Sequence, residues 1–239
     1  MREHPLSAAQ RLAVAPLLGA LREWDRAAAA RADHYVAISD FIAERIRDVY
    51  GIDAPVVHPP VNTARFEPTP RGERLLVVSR LLTYKRIDLI VETATRAGIG
   101  LDVVGSGPAL EALRAVAGPN VTFHGAVDDA AVAQLMQGCR ALACAAVEDF
   151  GLALVEAQAA GKPVVAYGAG GALETVVDGT SGTFFTRRDP AAVLDAIERC
   201  DRLDADPAAL AAGAQRFSRE VFRDRLAALL RDFQDQRAA

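Results

Sequence analysis

Two carboxylates, Glu148 and Glu156, stand eight positions apart around Gly151 in the stretch EDFGLALVEAQAAGKPVVAY. The preceding run CRALACAAV (139–147) is apolar and has the length of a buried parallel strand. Leu152 to Ala160 carries strong helix formers and ends at Gly161, before Lys162-Pro163. The pattern predicts a strand-to-helix junction with the helix starting near Gly151. Glu148 then lies in the loop at the strand's C-terminal end, and Glu156 about one turn inside the helix. The amides of Phe150, Gly151 and Leu152 have no carbonyl a turn earlier to bond, so they point above the strand at a place that suits a phosphate and sugar hydroxyls. Taken alone, an acid at each position is better explained as a solvated charge complementing a helix dipole, and the surroundings must decide.

Those surroundings repeat. From Arg74 to about Arg202 six short apolar runs alternate with amphipathic windows: LLVVS with 85–97, LDVVG with 107–117, VTFHG with 128–138, RALACAAV with 151–160, PVVAYG with 170–177 and GTFFT with 189–201. Right-handed crossovers between parallel strands put helices on both faces, so six such β-α units predict an α/β fold with a doubly wound parallel sheet, whose ligands bind beyond the strand C-termini. Arg80, Lys85, Gly105, Gly107, Gly125, Glu148 and Gly151 all fall in loops that follow strands. The first seventy residues differ: an alanine- and arginine-rich helix over about 7–32, with Pro16 as a possible break, a short strand HYVAIS (34–39), a helix FIAERIRDVYG (41–51) and the proline-rich HPPV.

Composition narrows the function classes. The chain has 239 residues, 51% of them hydrophobic, and a formal net charge of −4, which supplies a core without disulfides or metals and lacks the basic face of a nucleic-acid binder. Only Lys85 and Lys162 among 27 basic residues are lysines, and Lys162 reads as a turn residue. Cys139, Cys144 and Cys200 are odd in number and lack metal spacing, so they read as buried thiols in a reducing cytosol. His4, His34, His58 and His124 show no i, i+4 pairing, and no metal site is expected. No run approaches the ~20 apolar residues of a membrane span and no secretory leader is visible. A cytoplasmic protein is expected, in peripheral contact with the inner face of a membrane at most.

The E-x7-E stretch resembles the signature of retaining glycosyltransferases of the large family four, and the resemblance extends through HPPVNTARFEP (58–68), LLVVSRLLTYKRIDLIVE (75–92), LDVVGSGP (101–108), VTFHGAV (121–127) and GAGGALETVVDGTSGTFF (168–185) in the family's order. It covers nearly everything from about residue 34. It implies the GT-B architecture of two facing Rossmann-like domains, a nucleotide-diphosphate sugar as donor and a glycan or lipid-linked acceptor. The cluster RAAAARADHYVAISDFIAERI, HPPVNTARF and EDFGLALVEAQAAGKPVVAY is most similar to bacterial mannosyltransferases of surface-polysaccharide assembly, which makes GDP-mannose the first guess for the donor. By the resemblance, residues 1–57 are a remnant of the N-terminal acceptor domain, 58–73 a linker, 74–215 the Rossmann-like nucleotide-sugar-binding domain and 216–239 the C-terminal crossing helix. The rest of the acceptor domain is expected to come from a missing N-terminal partner, and self-association is expected without it. His4 is not promoted to the histidine the family places on the acceptor side.

The same resemblance distributes roles. Arg80 and Lys85 would grip the donor pyrophosphate and stabilise the charge on the leaving diphosphate. Glu148 would meet the donor sugar's hydroxyls or assist an oxocarbenium-like transition state, and its neutralisation should leave nucleoside diphosphate binding nearly intact. Glu156 would accept from the ribose hydroxyls, and Phe150, Gly151 and Leu152 would offer backbone amides. Gly125, Ala126 and Val127 match where the family's backbone meets the nucleobase. Gly105-Ser106-Gly107 lacks the third glycine of a dinucleotide fingerprint, since Leu110 stands there, and reads as a tight turn packed under the nucleotide. Glu174 reads as structural. Three alternatives stand beside this: a non-catalytic nucleotide-sugar-binding module, one half of a split transferase or a truncated gene product; a glycoside hydrolase using the two carboxylates, which leaves Arg80 and Lys85 without a purpose; and an NAD-type oxidoreductase, which lacks its fingerprint.

Overall fold

Short strands buried on both faces need apolar residues at nearly every position, and each of the six runs supplies a four- or five-residue strand. The computed structural model describes residues 8–238, with side chains over 17–235. In chain order the elements are α1 (Ala8–Ala29), α2 (Asp40–Tyr50), β1 (Leu75–Val78), α3 (Ile87–Ala97), β2 (Leu101–Val104), α4 (Leu110–Val116), β3 (Val121–Gly125), α5 (Asp129–Gly138), β4 (Ala141–Cys144), α6 (Leu152–Ala159), β5 (Val164–Tyr167), α7 (Ala172–Thr175), β6 (Gly182–Phe185), α8 (Pro190–Asp201), α9 (Pro207–Ala214) and α10 (Arg219–Ala238). The strands form one parallel sheet in the order β3-β2-β1-β4-β5-β6. Leu75 of β1 pairs with Leu101 of β2 on one side and Ala141 of β4 on the other. The chain therefore leaves β1 toward one edge and returns to its other side, so the connections diverge between β1 and β4 and open a crevice at their C-terminal ends.

Each face of the sheet has its own core. Met136, Leu154, Val155 and Phe217 pack on one; Ile90, Leu113, Val193 and Ile197 pack on the other. Helices α5, α8 and α9 begin on side-chain caps: Asp128 accepts from the Ala131 amide, Asp189 from Ala192, and Asp206 from Ala208 and Ala209, the last two with Pro190 and Pro207 at the first helical position.

Several expected boundaries shift for local reasons. The helix expected from Lys85 begins at Ile87, because Thr83–Lys85 forms a 3-10 turn and Arg86 takes the left-handed conformation at φ 52°. The helix expected over 107–117 shortens to α4, since Gly105 and Gly107 hold a turn where a Cβ would lie 1.8 Å from the Ser79 carbonyl oxygen and 2.4 Å from that of Leu81. Segment 34–39 is not a strand: among the described residues it makes a single parallel bridge, Ala37 to Val56, and no other neighbour continues the pairing. The helix around Pro16 is unbroken from Ala8 to Ala29. Its residues Leu17, Leu18, Leu21 and Trp24 are exposed. Helix α9 was not foreseen. His4 lies outside the described residues.

Candidate functional site

The glycine at 151 fixes the site's floor. Its φ of 95° is left-handed, and it caps the start of α6, so the chain turns sharply out of β4 and aims the first amides of the helix above the sheet edge. Opposite, the loop after β1 carries Arg80 and Lys85. Arg80, Lys85, Glu148, Phe150, Gly151 and Leu152 line one cavity of about 400 Å³ between the ends of β1 and β4. Phe150 offers only its backbone there, because its ring is buried against His58 and Phe217 at centroid distances of 5.4 and 5.3 Å.

Glu148 is held from two sides. Its carbonyl accepts from the Gly171 amide at 2.7 Å, an approach so close that a Cβ on Gly170 would lie 2.5 Å from that oxygen. Its carboxylate receives the Lys85 ammonium on both oxygens, 2.8 Å to Oε1 and 2.7 Å to Oε2. The Cys144 thiol lies 3.7 Å from Oε1. Burial, then the Glu148 charge, pushes that thiol up to about 12, so it stays protonated at neutral pH and is a weak donor only. Arg80 is exposed and donates to the Tyr84 hydroxyl at 3.3 Å.

Glu156 is not in this cavity. It is half-buried further along, beside Arg65, which donates to the Asp129 carbonyl at 2.5 Å at the start of α5. Burial raises its pKa; Arg65 opposes the rise and Asp129 adds to it. A half-desolvated carboxylate held in its less favourable charge state is a common mark of a group arranged for a ligand. Gly125, Ala126 and Val127 follow β3, with the Gly125 carbonyl accepting from the Gly105 amide at 2.8 Å. Val127 borders a separate concavity with Arg74, Asp102 and His124. Gly105 and Gly107 serve backbone packing against the β1 loop. The structure thus assembles six of the candidate residues around one cavity and sets the others along the adjoining edge of the sheet.

The sequence reading did not foresee Ile38 and Pro59, which reach the cavity from the N-terminal segments, or the joint beneath it. The Ser39 hydroxyl caps α2 and donates to the Asp149 carbonyl at 2.6 Å. Glu174 accepts from the Asp40 and Phe41 amides at 2.9 and 3.1 Å and lies 3.1 Å from His58 Nε2. Lys162 is fully buried and is no mere turn residue: its ammonium donates to the Thr69 carbonyl and hydroxyl and to the Pro70 carbonyl, stapling the segment before β1.

An open doubly wound sheet with charged residues and helix-start amides gathered at its switch point defines an α/β protein of the Rossmann-like kind. More narrowly, the chain belongs to the family described as glycosyl transferases group 1, which matches residues 63–216. It is 33% identical over 231 residues to a GDP-mannose-dependent alpha-(1-6)-phosphatidylinositol monomannoside mannosyltransferase of Mycobacterium tuberculosis, with 82% of this chain and 60% of that protein covered. It is 31% identical over 227 residues to a D-inositol 3-phosphate glycosyltransferase of Nocardioides sp., covering 77% and 49%. The chain thus spans between about half and three fifths of these relatives' length. Among solved structures, sucrose-phosphate synthase from Thermosynechococcus elongatus superposes with a TM-score of 0.79 at 24% identity, covering 90% of this chain and 62% of that one. Anabaena HepE in complex with UDP and glucose gives 0.73 at 22%, covering 83% and 63%. At those identities the structural likeness concerns the fold. Among the described residues no helix is long and apolar enough to cross a membrane.

Proposed function

We propose that this chain is the donor-binding half of a retaining glycosyltransferase of the family-four kind, which takes mannose from GDP-mannose and passes it to a glycan or lipid-linked acceptor. One observation carries the reading: Arg80, Lys85, Glu148 and the α6 amides converge on one cavity at the switch point in a chain of the glycosyl transferases group 1 family. Arg80, Lys85 and the amides of Phe150, Gly151 and Leu152 hold the diphosphate and stabilise its charge as it leaves with the bonding pair of the glycosidic bond. Glu148 receives the sugar hydroxyls. Glu156, beyond the cavity, takes the ribose, and residues 125–127 meet the base. The mannosyltransferase relatives support guanine and mannose; the UDP of HepE marks uracil as the competing base. Residues 1–57 belong to the acceptor domain, 58–73 form the linker, 74–215 hold the donor and 216–239 cross back.

A second reading, a donor-binding module that needs another polypeptide for transfer, is favoured by the exposed Leu17, Leu18, Leu21 and Trp24 on α1. Calorimetric titration with GDP-mannose, UDP-glucose and GDP, followed by transfer assays to a phosphatidylinositol mannoside, separates the cases. Binding with transfer supports the enzyme, and binding without transfer supports the module. Absence of binding to every nucleoside diphosphate and its sugars refutes both.

A further inference from the structure

Lys85 and Glu148 satisfy each other in the cleft. The ammonium reaches both carboxylate oxygens, at 2.8 and 2.7 Å, and the two side chains are only 15% and 22% exposed. A pair so withdrawn from water is costly to separate unless each charge finds a new partner. Resting on the nucleotide-sugar reading of this cleft, we propose that Glu148 competes with phosphate for Lys85 and thereby makes the cleft prefer the sugar-bearing donor over the bare nucleoside diphosphate.

A diphosphate that recruits Lys85 draws it off Glu148. With no sugar attached, the carboxylate is then left facing phosphate oxygens, and its remaining hydrogen-bond partner among the described residues is the Cys144 thiol at 3.7 Å, a weak donor without positive charge. Arg80 is exposed and turned to Tyr84, so no second buried cation replaces Lys85. The intact donor differs because its sugar hydroxyls lie beyond the diphosphate and donate to the carboxylate that Lys85 has vacated. Both halves of the ion pair are exchanged for matched partners. The bare diphosphate, the species a transferase must release, exchanges only one. This reverses the expectation that neutralising Glu148 leaves nucleoside diphosphate binding nearly intact.

The test is calorimetry of GDP and GDP-mannose on wild type, Glu148→Gln, Lys85→Met and the double variant. Glu148→Gln is expected to bind GDP about tenfold tighter, the scale of one charge-assisted contact, without tightening on GDP-mannose. In the Lys85→Met background the same change should shift GDP affinity less than about threefold. Unchanged or weaker GDP binding by a folded Glu148→Gln overturns the proposal while leaving the donor-site reading intact; loss of all nucleotide binding by wild type overturns both. Independently of any variant, the ¹³C-carboxyl resonance of Glu148 in the wild type should move on adding GDP and move back toward its hydrogen-bonded position with GDP-mannose. A resonance indifferent to GDP also overturns it.

Discussion

Replacing Glu174 by alanine should unfasten helix α2 from the sheet. The carboxylate lies 134 residues away in sequence from Asp40, yet it accepts from the Asp40 and Phe41 amides, and the Ser39 hydroxyl takes the next amide, that of Ile42, at 3.1 Å. Three donors that a helix start leaves unpaired are thus met by two side chains. The alanine variant frees two of them and deprives His58 Nε2 of its partner. Loss of a side-chain cap costs about 0.5–2 kcal/mol, and charged acceptors lie at the upper end of hydrogen-bond values. The Glu174 side chain is 15% exposed, so solvent screens it little, and about 2 kcal/mol is a fair sum. For a chain of this size that lowers Tm by ~4–8 °C if the whole fold feels it, or speeds amide exchange in the first turn of α2 roughly thirtyfold if opening is local. Glu174→Gln keeps one acceptor and should lose about half as much. Hydrogen exchange with mass spectrometry over residues 37–50, compared with 87–97, is the assay. Unchanged protection at residues 40–42, with Tm within ~1 °C of wild type, would show that Glu174 does not hold α2.

Glu156→Gln should raise Tm at pH 7. Its pKa is raised above the ordinary 4.5, chiefly by burial, so the folded state holds the proton more tightly and wild-type stability increases as pH falls through the folded pKa toward 4.5; the variant's advantage should shrink over that window, and a variant less stable at pH 7 refutes the reasoning. If Glu156 holds the ribose, the same variant should also discriminate less between GDP and 2′-deoxy-GDP in calorimetry, and an unchanged preference removes it from that role. Lys162→Ala should destabilise by about 2–5 kcal/mol, the cost of deleting a large buried side chain and leaving its acceptors unpaired, read from urea unfolding; a loss below ~1 kcal/mol would show that the staple at Thr69 and Pro70 is dispensable.

The sheet was legible because parallel strands buried on both faces read as unbroken apolar runs, and Gly151 with the helix formers after it marked the start of α6. Arg80, Lys85 and Glu148 could be grouped because each follows a strand, and strand ends in such a sheet share one edge. Contacts between distant segments left no such trace. Nothing local to Lys162 announces that its ammonium ends on Thr69 and Pro70, 93 and 92 residues earlier, and nothing in GGALE shows Glu174 reaching α2. The run PAALAAGA folds as α9 although alanines carry no apolar stripe; the cap Asp206-Pro207 was its signal. Segment 34–39 has the residues of a strand, but a strand needs a ladder, and Val56 alone pairs with it. Glu156 lies outside the cavity that Glu148 lines, because successive turns of α6 carry a side chain away from the helix start.

The most direct test of the donor site is a crystal structure of the chain with GDP-mannose bound. The diphosphate should lie within hydrogen-bond reach of Lys85, Arg80 and the amides of residues 150–152, with the mannose hydroxyls on Glu148, the ribose on Glu156 and the base along residues 125–127. A nucleotide seated elsewhere, with Lys85 still closed on Glu148, would contradict it.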